Sequence, residues 1–371
     1  MQIFKKREGD TTRLPLWSFV LLGLAALSLL LYFAAVISEG FANFFNRTVA
    51  AFVRSLLAHL TSWLPVSLAE LLLYCVPLII VILCLFAYRN HCGSWREVFV
   101  YLGSILSVCS MLFTLFVFTL GTGYHTTTLD KRLSIPPVEV SEESLVQTAQ
   151  TLIAEINALA GQNTYADDGF SVMPYDLDTM NDKLLEAYLP LCEEYDFIQR
   201  LNSNIKPVIA SKPMSYTHIT GVYSYFTGEA NLNVHFPDYT LPFTAAHELA
   251  HQRGIARENE ANFIAFLVCL NSTDPYIRYT GYLNMFEYVS NAVYSTDRDA
   301  YKALLEQLDG RVLNELRAYS DFFDTFRDSL ASDISDTVND TYLKLHGNKA
   351  GTASYGLVVE LAVAYYQNGE K

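Results

Sequence analysis

Apolar residues are unevenly spread along the chain. Residues 15–37 (PLWSFVLLGLAALSLLLYFAAVI), 71–88 (LLLYCVPLIIVILCLFAY) and 98–122 (VFVYLGSILSVCSMLFTLFVFTLGT) carry no charge. Each reaches the roughly 18–20 apolar residues that cross a hydrocarbon core of about 30 Å, so the pattern predicts three membrane spans. Pro77 interrupts the second, which a transmembrane helix tolerates. The first is longer than a signal peptide's apolar region and has no small-x-small site at its end, so it reads as a retained span. Residues 41–63 (FANFFNRTVAAFVRSLLAHLTSW) behave differently. Phe44, Val49, Phe52, Leu56, Leu57 and Leu60 fall near helical spacing, predicting an amphipathic helix along the membrane surface. The alternative is an ordinary helix of the domain that follows.

Beyond residue 122 the long apolar runs stop. SIPPVEV reads as an extended linker, and SEES supplies the N-cap and acidic first turn of a helix running to about 160. YADDG is a turn, and DLDTMNDKLLEAYLPLCEEYD a second helix. Residues 211–238 (SKPMSYTHITGVYSYFTGEANLNVHFPD) have the β-branched and aromatic content of strands, broken at Gly221 and Gly228. From 242 the pattern is helical almost to the end. The expected fold is mainly α. A membrane region (1–122; spans about 15–37, 71–88 and 98–122, surface helix about 41–63) precedes an α+β domain with a small sheet (123–371).

Charge adds orientation and excludes one class of partner. Lys5, Lys6, Arg7 and Arg13 precede the first span, and Arg89 and Arg96 lie in the 89–97 loop. The positive-inside rule puts both in the cytoplasm and the 123–371 domain outside it, in a multi-pass protein of the cell membrane. Lys131 and Arg132 weigh the other way. From residue 131 onward 33 Asp and Glu face 17 Lys and Arg, which argues against nucleic acid, since that needs a basic surface. Of six cysteines only Cys192 and Cys269 fall in the outer domain, where two buried thiols are expected rather than a disulfide, and no metal-binding cysteine spacing occurs.

Candidate chemistry gathers in residues 241–269, LPFTAAHELAHQRGIARENEANFIAFLVC. On a helix His247 and His251 share a face and can hold one zinc ion, while Glu248, about 100° round, sits where a general base would act on a water. Gly254 is a helix terminator, and the helix after it can return past the first. Glu258 or Glu260 can then be the third ligand, but the two lie about 200° apart, so only one can face the metal. Glu258 is preferred because the small Ala261 then shares its face. Asn262 is placed to accept a hydrogen bond from the outer nitrogen of a ligating histidine. Arg257 occupies the third-histidine position of an HExxHxxGxxH pattern, and a guanidinium cannot ligate. The alternative is a metal-free polar cluster of the same histidines and glutamates.

HExxH followed by Glu-x-x-Ala-Asn resembles the gluzincin zinc peptidases, with His247, His251 and Glu258 at the ligand positions and Glu248 at the base. The longer stretch YSYFTGEANLNVHFPDYTLPFTAAHELAHQRGIARENEANFIAFL, the three-span front and the tail SYGLVVELAVAYY resemble a family of bacterial membrane proteins catalogued as a domain of unknown function (DUF3810-like) with a zincin-like core. The resemblance implies a zincin-like outer domain that binds one Zn2+ per chain. It also implies hydrolysis of peptide or protein substrates by a zinc-activated water. GEANLNV would be the edge strand lining the cleft, with Glu229 and Asn231 exposed if it is an internal strand instead. Tyr355 is the better candidate for stabilising the oxyanion, ahead of His346. A reading from another class is a membrane sensor or assembly protein that binds zinc without turnover. An intact Glu248 favours the enzyme.

Overall fold

The computed structural model describes residues 13–90, 93–326 and 355–369. Lys5, Lys6, Arg7, Cys92 and His346 lie outside the described residues. Helices α1 (Leu16–Ile37), α4 (Leu68–Asn90) and α5 (Trp95–Thr119) are each long and apolar enough to cross a membrane. The third starts three residues earlier than its apolar run and stops before Gly121, where the chain tightens into a 3-10 turn at Gly121–His125. α1 and α5 lie side by side, with Ser107 donating to Ser18 at 3.0 Å. α4 meets α5 where the Tyr101 hydroxyl donates to the Leu83 carbonyl.

The amphipathic segment forms α2 (Glu39–Phe45) and α3 (Ala51–Thr61), joined by a π-helical turn at Asn46–Ala50. Ala42, Asn46, Ala50, Arg54, Ala58 and Thr61 are buried at helical spacing, while Phe44, Phe52, Leu56, Leu60 and Trp63 are exposed. One face therefore packs on protein through mostly small side chains, and the opposite face presents large apolar ones.

The remainder is mainly helical around one small sheet. α6 (Leu129–Arg132), α7 (Glu142–Ala160) and α8 (Leu177–Glu194) come first. Ser141 and Ser144 form a reciprocal cap on α7, and Asp176 caps α8 through the Thr179 N–H, so both helices begin where their capping residues predict. Then come β1 (Ile205–Pro207), the short α9 (Ser211–Ser215), β2 (Gly221–Ser224) and β3 (Glu229–Leu232). α9 occupies the start of the region read as strand. The sheet order is β1-β3-β2, with β1 parallel and β2 antiparallel to β3. This overturns the edge role of GEANLNV. β3 is the central strand because β1 pairs along its other side, and all four of its residues, Glu229 and Asn231 included, are buried.

After a 3-10 turn at Asp238–Thr240 follow α10 (Leu241–Gln252), α11 (Glu258–Asn271), α12 (Pro275–Thr296), α13 (Arg298–Leu305), α14 (Gly310–Asp324) and α15 (Tyr355–Gln367). α11 is buried on every side from Glu260 to Cys269, wrapped by α8, α10, α12 and α15. Cys192 and Cys269 are both free thiols, Cys269 fully buried.

Buried charges tie the sheet to the apolar helices. Both Glu229 oxygens accept main-chain N–H groups at the start of α4, from Leu68 and Ala69, each at 3.0 Å. In return Glu70, in the first turn of α4, accepts the N–H groups of Ile209 and Ala210 at 2.8 and 2.7 Å. Lys206 donates to the carbonyls of Thr61, Ser62 and Leu64 at the end of α3. Glu229 and Lys206 each meet the helix terminus whose partial charge they complement, and Glu70 takes two main-chain N–H groups just ahead of α9.

Candidate metal centre

α10 is buried over nearly its whole length, and Tyr188 and Arg253 fix it from outside. The Tyr188 hydroxyl donates to the Ala246 carbonyl at 2.6 Å, and the Arg253 guanidinium lies on the Tyr188 ring while donating to Leu249 and Leu201 carbonyls. The helix ends at Gly254, whose φ of +98° favours glycine. The Gly254 N–H donates to the His251 carbonyl and the Ile255 N–H to the Ala250 carbonyl, the paired bonds of a Schellman turn. That turn points the chain back so that α11 starts beside the histidines.

His247 and His251 sit one turn apart with their Nε2 atoms 3.0 Å from each other. Glu258, the first residue of α11, brings Oε2 to 3.1 Å from His247 Nε2 and 3.4 Å from His251 Nε2. Among the described residues this is the cluster of three whose donor atoms converge closely enough to hold one ion. A tetrahedral ion with bonds of about 2.0–2.1 Å sets its donors roughly 3.3 Å apart, so the triangle fits one face of a zinc coordination shell. The His251 Nδ1 is 2.7 Å from the Ile255 carbonyl, which assigns the proton to Nδ1 and leaves the Nε2 lone pair free to ligate. The His247 Nδ1 is buried with no hydrogen-bond partner.

The other residues singled out in the sequence are placed differently. Glu260 is turned away from the histidines. Its carboxylate accepts from Arg132 at 2.9 Å, from Arg257 at 2.6 Å and from the Leu129 N–H at 3.0 Å. Arg257 also donates to the Tyr124 and Thr126 carbonyls, so it staples α11 to the chain leaving α5. Asn262 is buried but does not serve as outer-nitrogen acceptor. The helix-ending turn brings the Ile255 carbonyl to His251 first, and His247 Nδ1 has no partner. Tyr355 begins α15, and its side chain lies outside the described residues.

Glu248 is buried against β2, with the Tyr223 main chain facing its carboxylate. A Cβ on Gly221 would fall 2.6 Å from Glu248 Oε1, so this approach requires glycine. Burial pushes the Glu248 carboxyl above its ordinary value against the pull of His247 and His251. Burial also opposes charge on His251, but the Glu258 carboxylate outweighs it and lifts the ring to about 9. The two histidines hold Glu258, which is only half-buried, well below the usual carboxylate range against the desolvation it does feel. Without a metal, a proton held between histidine and carboxylate takes the place of a cation.

Gly221, Tyr223 and the Ile255 carbonyl are participants that motif reading missed. The signal for Gly221 was a glycine opening a β-rich run. The two main-chain contacts leave no trace in side-chain identity. A cavity of about 440 Å³ adjoins Glu258, lined by Tyr124, Thr128, Ile135 and Pro136 on one side and Leu357 and Leu361 of α15 on the other.

The profile of a family described as "Protein of unknown function (DUF3810)" matches residues 45–363, and the chain belongs to that family. The matched region includes α3, α4 and α5 together with the histidine centre. No curated protein and no solved structure matches the chain.

Proposed function

We propose that this member of the DUF3810 family is a membrane-anchored zinc-dependent peptidase, with His247, His251 and Glu258 as ligands and Glu248 as general base. The observation that carries the reading is the triangle of three lone-pair donors, 3.0 to 3.4 Å apart, beside a buried carboxylate on the same helix. Two histidines and a carboxylate leave a fourth position open, the arrangement of catalytic rather than structural sites. A bound zinc ion would supply Lewis acidity and bring a water's pKa toward about 7.

The chain's own residues supply the rest. Glu248, whose carboxyl is raised by burial, takes a proton from the attacking water and delivers it to the leaving amine. Gly221 and the Tyr223 main chain of β2 pack against that carboxylate. β2 is the edge of the sheet nearest α10, and its exposed Val222, with Ile219 and Tyr216 nearby in sequence, offers apolar surface to an extended substrate. The zincin-like comparison therefore attaches to β2 rather than β3. α1, α4 and α5 cross the bilayer with the N-terminus in the cytoplasm. Arg132, which opposed that orientation by position, is buried against Glu260.

The full chain, purified in detergent with zinc, should carry one zinc and cleave a broad peptide library. Glu248→Gln should keep the zinc and lose about 10²–10⁴ in kcat/KM. Zinc without cleavage in the wild type would move the reading to a zinc-binding sensor. A folded chain that takes up no zinc would remove both.

A further inference from the structure

We infer, resting on the peptidase reading above, that the substrates are membrane-anchored polypeptides cut within the first few residues beyond the bilayer surface. The site's position relative to the apolar helices supports this whichever side of the membrane the domain occupies.

Three observations place the histidine centre at the bilayer surface. The first is a short hydrogen-bonded path from α5 to the centre. The last residue of α5, Thr119, accepts at its carbonyl from Arg54 at 2.8 Å. Arg54 also donates to Asn46, and the Asn46 side-chain amide donates at 2.9 Å to the carbonyl of Gly254, three residues after His251. Arg96 and Glu97 mark the opposite end of α5. Roughly 20 residues counted from Val98 bring the far edge of the hydrocarbon to about Phe118.

The second is the α2–α3 segment, whose outward Phe44, Phe52, Leu56, Leu60 and Trp63 match a helix lying in the interface. Its inner face touches the catalytic scaffold directly. Ala58 and Leu57 lie against Gly228, where a Cβ would meet Leu57 Cβ at 2.6 Å, and the Gly228 carbonyl accepts from Gln252 of the histidine helix. One helix, about 10–12 Å across, separates the scaffold from lipid. The third is the cavity beside Glu258, walled in part by Tyr124 and Thr128 of the segment that leaves α5. At 3.3–3.6 Å per extended residue, three or four residues of an anchored chain span that depth.

The test uses the full chain in phosphatidylcholine vesicles with zinc and a random dye-labelled peptide library, either free or coupled at one end to phosphatidylethanolamine. The expected result is cleavage of the anchored library with cuts clustered within about five residues of the anchor, and at least ~10²-fold slower turnover of the free library. A second readout is independent of activity. In the variant Trp17→Phe/Trp95→Phe, the remaining Trp63 should be strongly quenched by lipids brominated near the carbonyl region. Equal turnover of both libraries, cuts spread far from the anchor, or an unquenched Trp63 would overturn the inference and leave the peptidase reading standing. Cleavage of neither library would remove the peptidase reading itself. Consumption of the phosphatidylethanolamine rather than the peptide would replace the polypeptide substrate with lipid.

Discussion

Two buried clusters of charged residues lie close together in this molecule, and they are built on opposite principles. In the clamp between the sheet and the α3–α4 connection, every charge meets a group of the opposite kind. Glu229 and Glu70 each receive two main-chain N–H groups, and Lys206 reaches three carbonyls. In the histidine centre, two imidazole nitrogens and a carboxylate oxygen turn toward one another, and their close contacts are with each other alone. A satisfied cluster is architecture, while converging acceptors describe the outline of a cation. Glu258 and Glu260 show the same contrast within one turn of α11.

The sharpest way to break the comparison is to neutralise those two glutamates separately. Glu260→Gln leaves Arg132, itself buried, without its counter-charge, and should destabilise the chain by about 3–5 kcal/mol while zinc stoichiometry stays at one. Glu258→Gln should lose zinc; its effect on the metal-free fold should be small above about pH 9 and should grow below it, where the carboxylate holds the His251 proton. Thermal unfolding in detergent with and without zinc reads both. At a free zinc concentration of about 100 times Kd the wild type should gain roughly 2.7 kcal/mol, a gain that Glu258→Gln forfeits. Loss of zinc in Glu260→Gln, with retention in Glu258→Gln, would reverse the assignment of the third ligand.

A pH series separates the clusters next. In the metal-free chain the His251 ring titrates near 9, above its ordinary 6.5. A base raised on folding lends stability that is fully present below about pH 6.5 and is lost as pH climbs through about 9. At 1.36 kcal/mol per pH unit this amounts to about 3 kcal/mol. Zinc needs the ring neutral, so apparent zinc affinity should rise over the same interval as the proton's contribution fades. The metal-free protein should therefore lose melting temperature between pH 6.5 and 9, and the loss should vanish in His251→Ala. A flat profile for the wild type would mean that no proton bridges the pair.

What could be read from the sequence follows the distance over which each feature is built. The histidine pair and Glu248 are one helical turn, and the glycine after them signalled the return of α11, so the motif and its neighbour came together as spacing required. The choice of Glu258 over Glu260 was also angular; in the fold Glu258 lies beside the histidines and Glu260 pairs with Arg132 and Arg257. The three helices long and apolar enough to cross a membrane were visible as apolar runs. Asn262 failed because a main-chain carbonyl, which no residue type announces, took its place. β3 was misassigned to the edge because its neighbour β1 is three residues with no alternation, paired in parallel across a connection. The clamp was invisible because its partners stand about 140–160 residues apart in sequence. Glu70 in the first turn of a long apolar helix was its local hint.

The smallest effect is expected at Gly254, where the histidine centre meets a second buried cluster, that of Arg54 and Asn46. Its carbonyl receives the Asn46 amide from the membrane side, and its left-handed backbone forms the turn that hands the Ile255 carbonyl to His251. Gly254→Ala should cost about 1–2 kcal/mol for the backbone alone. The new Cβ would also press on the Arg54 guanidinium, 2.5 Å from where it must lie, a charged side chain already committed to Thr119 and Asn46. If the turn only links two independent clusters, melting temperature falls and zinc affinity stays. If the turn orients His251 through its Nδ1 bond, zinc affinity should fall about 10–100-fold as well, the usual consequence of losing a ligand's outer partner. We expect the second outcome. Zinc titration of Gly254→Ala at a temperature where it remains folded reads the difference, because a change confined to stability leaves the binding curve unmoved.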